Sequence, residues 1–324
     1  MTRRVLVTGG AGFIGAAIVR RLVTRGWAVR VLDNFSRGAA HRLADVSGSI
    51  ECLHADIRDR EAVASACERA DLVIHLAAVN GTRHFYEAPV TVLDVAIRGM
   101  LNLLDGCRLH HVPELVLASS SEVYHASTIP TDETAPLLVP DPHNPRYAYS
   151  GGKIASELMA LNWGREHFRR VVIVRPHNVY GPDMGFDHVI PELTLRIRNL
   201  PSCERAPRLQ IQGTGKETRS FVHISDLVDG LLLCIDQGAH LGIYHLGTME
   251  EVLIADLAFR IAAHLERTIE IVPNKLAPGS PARRCPNIGR ARALGFEPRI
   301  QLDDGLPDVV RWYDQNASLA PGSN

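Results

Sequence analysis

Short apolar runs alternate along the chain with longer stretches in which apolar residues recur every three or four positions. The runs RVLVTG (4–9), AVRVLD (28–33), IECLHAD (50–56), DLVIHLA (71–77), ELVLASS (114–120) and RVVIVRP (170–176) predict strands. The helical period predicts helices over 13–26, stopped by Gly26, near 59–69, over 90–111 and over 147–168. Nearly all-apolar strands separated by helices predict an α/β fold: a Rossmann-type doubly wound parallel sheet covered on both faces. Such sheets bind ligands at the carboxyl ends of their strands. After residue 176 the rhythm loosens, and Pro and Gly crowd 175–186, 200–215 and 274–286. We therefore expect a first domain over 1–176 with returning segments about 215–245. A smaller C-terminal α/β domain should take 177–214 and 246–318, and the tail 319–324 should be disordered.

Composition narrows the classes. The chain has 324 residues, 46% hydrophobic and 22% charged, ample for a large core. A net charge of −1 gives no electrostatic case for nucleic acid or a membrane surface. The six cysteines contain no CxxC pair and read as buried thiols of a reducing compartment. Fifteen histidines include only one adjacent pair, His110-His111, so no metal site is expected. No signal-peptide core follows the N-terminus, and no apolar run approaches the roughly 20 residues that span a bilayer. The expected location is the cytoplasm.

The stretch VLVTGGAGFIGAAIV places Gly9, Gly12 and Gly15 between the first strand and the first helix. Glycines there permit a tight turn, close approach of backbone to a pyrophosphate, and close helix–strand packing. The helix N-terminus then offers free N–H groups and a positive dipole to phosphate. Asp33 ends the second strand 18 residues after Gly15, placed to accept hydrogen bonds from an adenosine ribose. A carboxylate there favours NAD over NADP, although Arg37 nearby pulls the other way. Asp56 reads either as a partner of the adenine amino group or as a helix N-cap.

Only Lys153, Lys216 and Lys275 are lysines among 35 basic residues, and Lys153 lies four residues after Tyr149 in YSGGK. On a helix these two share a face, whereas Tyr147 points elsewhere. A neighbouring ammonium, together with the positive nicotinamide ring, favours the phenolate of a tyrosine that otherwise titrates near about 10, so that Tyr149 can act as a base near neutrality. Gly151 and Gly152 are poor helix formers, and we expect them to leave room for a cofactor or substrate. Ser119, Ser120 and Ser121 follow a strand at its carboxyl end, where one hydroxyl can relay a proton or simply end the strand.

The motifs TGGAGFIG, Asp33, HLAA (75–78), SSSEVY (119–124), YSGGK (149–153), RPHNVYGP (175–182) and RSFVHISD (219–226) resemble the extended short-chain dehydrogenase/reductase family. More narrowly, the chain resembles its nucleotide-sugar epimerase/dehydratase branch over roughly 4–315. The resemblance implies a tightly held NAD lined by Gly9, Gly12, Phe13, Ile14, Gly15, Asp33, Asn34, Asp56, Ile57, Leu76, Ala77, Ala78, Tyr149, Lys153 and Pro176. It implies Tyr149 as the base, Lys153 on the nicotinamide ribose and Ser120 as the hydroxyl partner. A nucleotide-diphosphate sugar is the implied substrate, contacted by Ser121, Asn178 and Val189. Arg219 and one of Arg283 and Arg284 fall where arginines grip a diphosphate, unless the latter two are surface arginines.

Three features depart from the family pattern: His125 replaces a glycine, Ala96 replaces an asparagine, and the interior of YSGGK and the run after RPHN are unusual. Glu122 reads either as a group acting on the sugar, as in dehydratases and decarboxylases, or as a solvated or salt-bridged side chain. Ser121 stands where dehydratases often carry an acid. We therefore expect C4 epimerisation ahead of 4,6-dehydration or uronic-acid decarboxylation, with a non-catalytic NAD-binding sensor least favoured. His177 and His125 read as proton donors or, preferentially, as hydrogen-bonded structural histidines. In the resembled family the helices corresponding to 90–111 and 147–168 pair across a two-fold axis into a four-helix bundle, so the resemblance implies a homodimer. VLDVAIRGMLNLLDGC (92–107) carries apolar residues on more than one face, as a buried helix would.

Overall fold

A computed structural model describes residues 2–124, 129–201 and 206–321. His125, Cys203 and the end of the tail lie outside the described residues. The first half alternates β1 (Arg4–Thr8), α1 (Phe13–Thr24), β2 (Ala28–Asp33), β3 (Ile50–His54), α2 (Arg60–Cys67), β4 (Leu72–His75), α3 (Thr82–Glu87), α4 (Pro89–Leu109), β5 (Glu114–Ala118), α5 (Tyr147–His167) and β6 (Arg170–Pro176). Short elements follow: β7 (Val179–Tyr180), α6 (Val189–Arg198), β8 (Arg208–Gln212), β9 (Thr218–Arg219) and β10 (Val222–His223). The chain ends with α7 (Ile224–Gln237), β11 (Gly242–Leu246), β12 (Val252–Leu253), α8 (Ile254–His264), β13 (Glu270–Asn274), β14 (Arg283–Arg284), α9 (Gly289–Ala293) and α10 (Leu302–Gln315).

Seven strands form one parallel sheet in the order β11-β6-β5-β4-β1-β2-β3. Strand alternation divides the core. Val5, Val7, Val29 and Val31 pack with α1 and α7, while Leu6, Leu32, Val73 and Leu115 pack with α2, α4 and α5. Both faces are covered, so the strands are apolar throughout. A further apolar cluster joins Tyr180, Ile190, Leu209, Leu257, Leu306 and Tyr313 from the later elements. The order reverses between β1 and β4, which opens a crevice at their carboxyl ends.

Several expectations need correction. The strands end earlier than the apolar runs; β4, for instance, covers only Leu72–His75. A 3-10 helix over Ala40–Ser49 and the six-residue α3 add to the expected elements. The expected disordered tail begins in a 3-10 turn, Ala317–Leu319. Cys52 is exposed on β3, at the sheet edge, rather than buried.

Gly152 serves helix packing rather than cofactor space. A Cβ there would lie 2.7 Å from Cβ of Ala96 on α4. Ser156 Oγ, one turn on, donates to the Ala96 carbonyl at 3.3 Å. The Ala96 departure and the odd glycine are therefore one feature, two small residues where α4 and α5 cross. Gly151 meets only Val139, at 3.8 Å. Gly152→Ala, which helix propensity alone would favour by about 1 kcal/mol, should instead destabilise by about 1–3 kcal/mol through overpacking. Ala96→Gly in the same chain should recover much of that loss. Urea denaturation of the single and double variants checks both.

Candidate active site

One cavity of about 810 Å³ opens at the carboxyl ends of β1, β2, β4, β5 and β6. Its glycine corner follows from sterics. A Cβ on Gly15 would lie 2.1 Å from the Gly9 carbonyl, so α1 can approach the turn only through a glycine. Gly12 is the N-cap of α1 and offers no side-chain cap, leaving first-turn N–H groups for an anion. Asp33, at the end of β2, accepts from the Ala11 N–H at 2.9 Å and the Phe35 N–H at 2.8 Å. These bonds fix its carboxylate, and each oxygen keeps a further lone pair for a ribose diol. Uncapped helix donors beside an oriented carboxylate suit a dinucleotide. Gly9, Gly12, Phe13, Ile14, Gly15, Asp33, Asn34, Asp56, Ile57, Leu76, Ala77, Ala78, Tyr149, Lys153 and Pro176 all line this cavity.

Asp56 is not a helix cap, because Asp59 caps α2 by accepting from Glu61 and Ala62. Instead Asp56 takes Nε of Arg58 at 2.9 Å and Nδ2 of Asn34 at 2.9 Å. Hydrogen bonds from Arg58 hold its carboxyl well below the usual range. Arg37 pairs with an acidic side chain from a distant segment. It crosses the cavity to Asp187, with Nη1 3.6 Å from Oδ2. Beside it, Arg42 grips Asp183 with Nε and Nη2 at 2.8 Å each, tying the loop after β2 to the run after RPHNVYGP.

Tyr149 and Lys153 stand one turn apart on α5, both buried, with Nζ 5.8 Å from the phenol ring centroid. Nζ donates to the Ala118 carbonyl at 2.7 Å. Phe85 of α3 stacks on the phenol ring, with centroids 4.9 Å apart. Ser120 accepts from the Glu122 N–H at 3.1 Å and hydrogen-bonds the Tyr149 hydroxyl. In the chain alone, burial dominates the electrostatics of the phenol. Burial pushes Tyr149 up to about 12, opposed by the Ser120 hydrogen bond and the Arg37 and Arg284 charges and reinforced by Glu122. Burial also draws Lys153 down to about 8, which leaves its ammonium largely protonated at neutral pH. The chain by itself therefore holds a protonated phenol at neutral pH.

Glu122 lies on the cavity wall, with Oε1 2.6 Å from Arg284 Nη1 and Oε2 3.6 Å from Arg146 Nη2. Burial opposes its charge, but Arg284, Arg146 and Arg219 together keep its carboxyl below the usual value. Arg219 and Arg284 are register partners on β9 and β14. Burial and the neighbouring Arg284 draw Arg219 down to about 10. Ser120, Ser121, Glu122, Asn178, Val189, Arg219 and Arg284 line the same cavity. Arg283 is a correction: it turns away and binds Glu251, Nε to Oε2 at 2.8 Å. Adjacent residues on a strand point to opposite faces, so only one of the two arginines can face the cavity.

His177 is also corrected. It is buried, but neither ring nitrogen has a hydrogen-bond partner, and it is absent from the cavity wall. Sequence reasoning missed Phe85, Arg146 and Asp187, and weighed Arg37 only in the choice between NAD and NADP. Arg146 was findable, since it immediately precedes the helix that carries Tyr149. Phe85 sits on the six-residue α3, too short to show a period, and Asp187 lies in a loop.

The fold and the constellation define a dinucleotide-dependent enzyme of the short-chain dehydrogenase type. Residues 5–247 match the NAD dependent epimerase/dehydratase family, and the chain belongs to that family. It is 33% identical over 316 residues to UDP-glucuronic acid decarboxylase 1 of Arabidopsis thaliana, covering 95% of this chain and 69% of that one. The UDP-glucose 4-epimerase of Thermus thermophilus, solved with NAD, superposes with a TM-score of 0.83 at 29% identity, covering 96% of this chain and 98% of that chain. The dTDP-glucose 4,6-dehydratase DesIV of Streptomyces venezuelae, also solved with NAD, gives 0.86 at 28% identity, covering 99% of this chain and all (100%) of that chain. The cofactor is NAD, and relatives divide among epimerases, dehydratases and decarboxylases.

Replacing Lys153 by Met should stabilise the cofactor-free protein at pH 7. Its folded value, about 8, is below the ordinary 10.5, so the burial penalty is complete below pH 8 and disappears by about 10.5. Thermal melts should show a gain of about 1–3 kcal/mol, after the lost hydrogen bond is counted, that fades between those pH values.

Proposed function

We propose that this chain inverts C4 of a nucleotide-diphosphate sugar. What supports this reading is the convergence of Tyr149, Ser120 and Lys153 in one cavity with Arg219, Arg284 and Asn178. When bound, NAD supplies a cationic ring that accepts two electrons reversibly and favours the phenolate beside it. Tyr149, oriented by Ser120 and Phe85, takes the proton of the C4 hydroxyl and later returns it. Lys153 binds the nicotinamide ribose diol through donors not used on Ala118. Arg219 and Arg284 grip the diphosphate, and Asn178, whose Nδ2 donates to the Ser220 carbonyl at 2.8 Å, holds the sugar side.

Glu122 favours epimerisation over elimination because arginines weaken it as a base: Oε1 accepts from Arg284, Oε2 lies 3.6 Å from Arg146, and the carboxyl is held below its usual value. Removing the C5 proton needs a carboxylate with a raised proton affinity, not a lowered one. A second reading, decarboxylation of a uronic acid, has its own support. Arg146, Arg219 and Arg284 face one carboxylate, leaving positive charge for a second one on the substrate.

A panel of UDP-, dTDP-, GDP-, CDP- and ADP-sugars, uronic acids included, should yield a stereoisomer of unchanged mass. Mass spectrometry and NMR read the product; loss of carbon dioxide would replace epimerisation with decarboxylation. Tyr149→Phe should lower either activity by about 10²–10⁴-fold. Glu122→Gln should leave most epimerisation and remove any elimination.

We also propose a homodimer. Val90, Leu93, Leu101 and Leu109 on α4 and Leu158 on α5 are exposed, and such apolar faces mark association surfaces. Light scattering at micromolar concentration should give twice the 35.6 kDa chain mass, and Leu101→Glu with Leu158→Arg should halve it. A wild-type monomer defeats this assembly.

A further inference from the structure

Behind Glu122 and Arg284 runs a second polar chain, buried and away from the cavity. Glu157 follows Lys153 by four residues on α5, so the chain starts on the helix that carries the active-site pair. Its carboxylate takes both arms of Arg175, Nε at 2.8 Å and Nη2 at 2.5 Å, with side-chain exposures of 1% and 2%. Nη1 of Arg175 donates to the Tyr124 hydroxyl. Tyr124 and His245 Nε2 lie 2.7 Å apart, and His245 Nδ1 lies 3.0 Å from the Asn287 carbonyl. Arg175 and His245 are register partners on β6 and β11.

The direction of every bond follows from chemistry. A backbone carbonyl only accepts, so Nδ1 of His245 carries the proton and donates to Asn287. Burial holds His245 neutral, down to about 4, leaving Nε2 as an acceptor. The Tyr124 hydroxyl must then donate to Nε2, and its oxygen receives Arg175. Each member has one orientation, and none can turn without leaving a buried group unpaired.

The chain joins two segments of the active site. Tyr124 is two residues after Glu122, and Asn287 is three after Arg284. A buried ion pair adds little stability over apolar residues of similar volume, so orientation is its better-attested use. We propose that Tyr124 is a positioning residue: with Glu157, Arg175 and His245 it holds Glu122 against Arg284, and so fixes the guanidinium that receives the nucleotide diphosphate. The proposal rests on the role given to Arg284 under the proposed function.

Tyr124→Phe removes only the hydroxyl. The variant should fold, because Thr131 pairs by backbone with Cys285 and Asn287 and holds the same segment independently. Calorimetry on the NAD-loaded protein, with UDP and dTDP as probes, needs no turnover. Tyr124→Phe should weaken the bound nucleotide about 5–10-fold with NAD affinity unchanged. In an Arg284→Met background the same change should cost nothing more, the non-additivity expected if Tyr124 acts through Arg284. Additive losses, or wild-type affinity with only a lowered melting temperature, would overturn the proposal. Should neither nucleotide bind the wild type, the role of Arg284 fails, and a crystal structure of Tyr124→Phe decides the positioning. There the Glu122–Arg284 contact should lengthen past hydrogen-bonding reach; an unchanged contact overturns it.

Discussion

A buried hydrogen bond from Nζ of Lys153 to the Ala118 carbonyl joins α5 to the end of β5. Much of the site depends on it. β5 is an interior strand of the sheet and ends at Ala118, so that Ser120 and Glu122 follow in the next turn of chain. α5 delivers Tyr149 one turn before the lysine. The bond therefore sets the phenol against its serine partner, using a group whose own charge is disfavoured by burial. An arginine is too broad for this position, and its planar fork cannot shed a proton. That accounts for one of three lysines surviving in a chain otherwise built with arginine.

The same helix has a second obligation. Its other face packs on α4 through Gly152 and Ala96, while the exposed leucines of both helices remain outside. Packing and chemistry thus share one element, and the YSGGK segment records both: Tyr149 and Lys153 for the cavity, Gly152 for the neighbour.

The sheet was legible because apolar runs and helical periods are local signals, and the fold follows from their alternation. Gly15 and Asp33 were legible because sterics and strand-end position dictate their types. Gly152 was misread, since a glycine needed for a partner helix looks identical in sequence to one needed for a ligand. Arg37 was misread because its guanidinium crosses the cavity to Asp187, 150 positions away, and nothing local encodes that. Arg283 and Arg284 were separable in principle by strand alternation, but a two-residue strand among prolines gives no visible period. The chain's own effect on Tyr149 was only partly legible. Proximity of charges was readable, but the cost of burying a phenolate depends on depth, which only the packed structure supplies.

Charge balance around Glu122 constrains what the site can do. Three arginines converge on one carboxylate, and each carries a desolvation cost unless paired. Arg219 shows that cost directly, drawn down to about 10 by burial and by Arg284. Under the proposed function, an anion entering here relieves that repulsion as well as making hydrogen bonds. A diphosphate satisfies that requirement whatever happens later at C4. The fate of the sugar then turns on whether substrate draws Arg284 away from Glu122. Under the proposed function, a closed pair keeps the glutamate a weak base, and the keto sugar is reduced again. If the diphosphate takes the arginine, the carboxylate is released as a base, and the same residues support loss of a group from the ring.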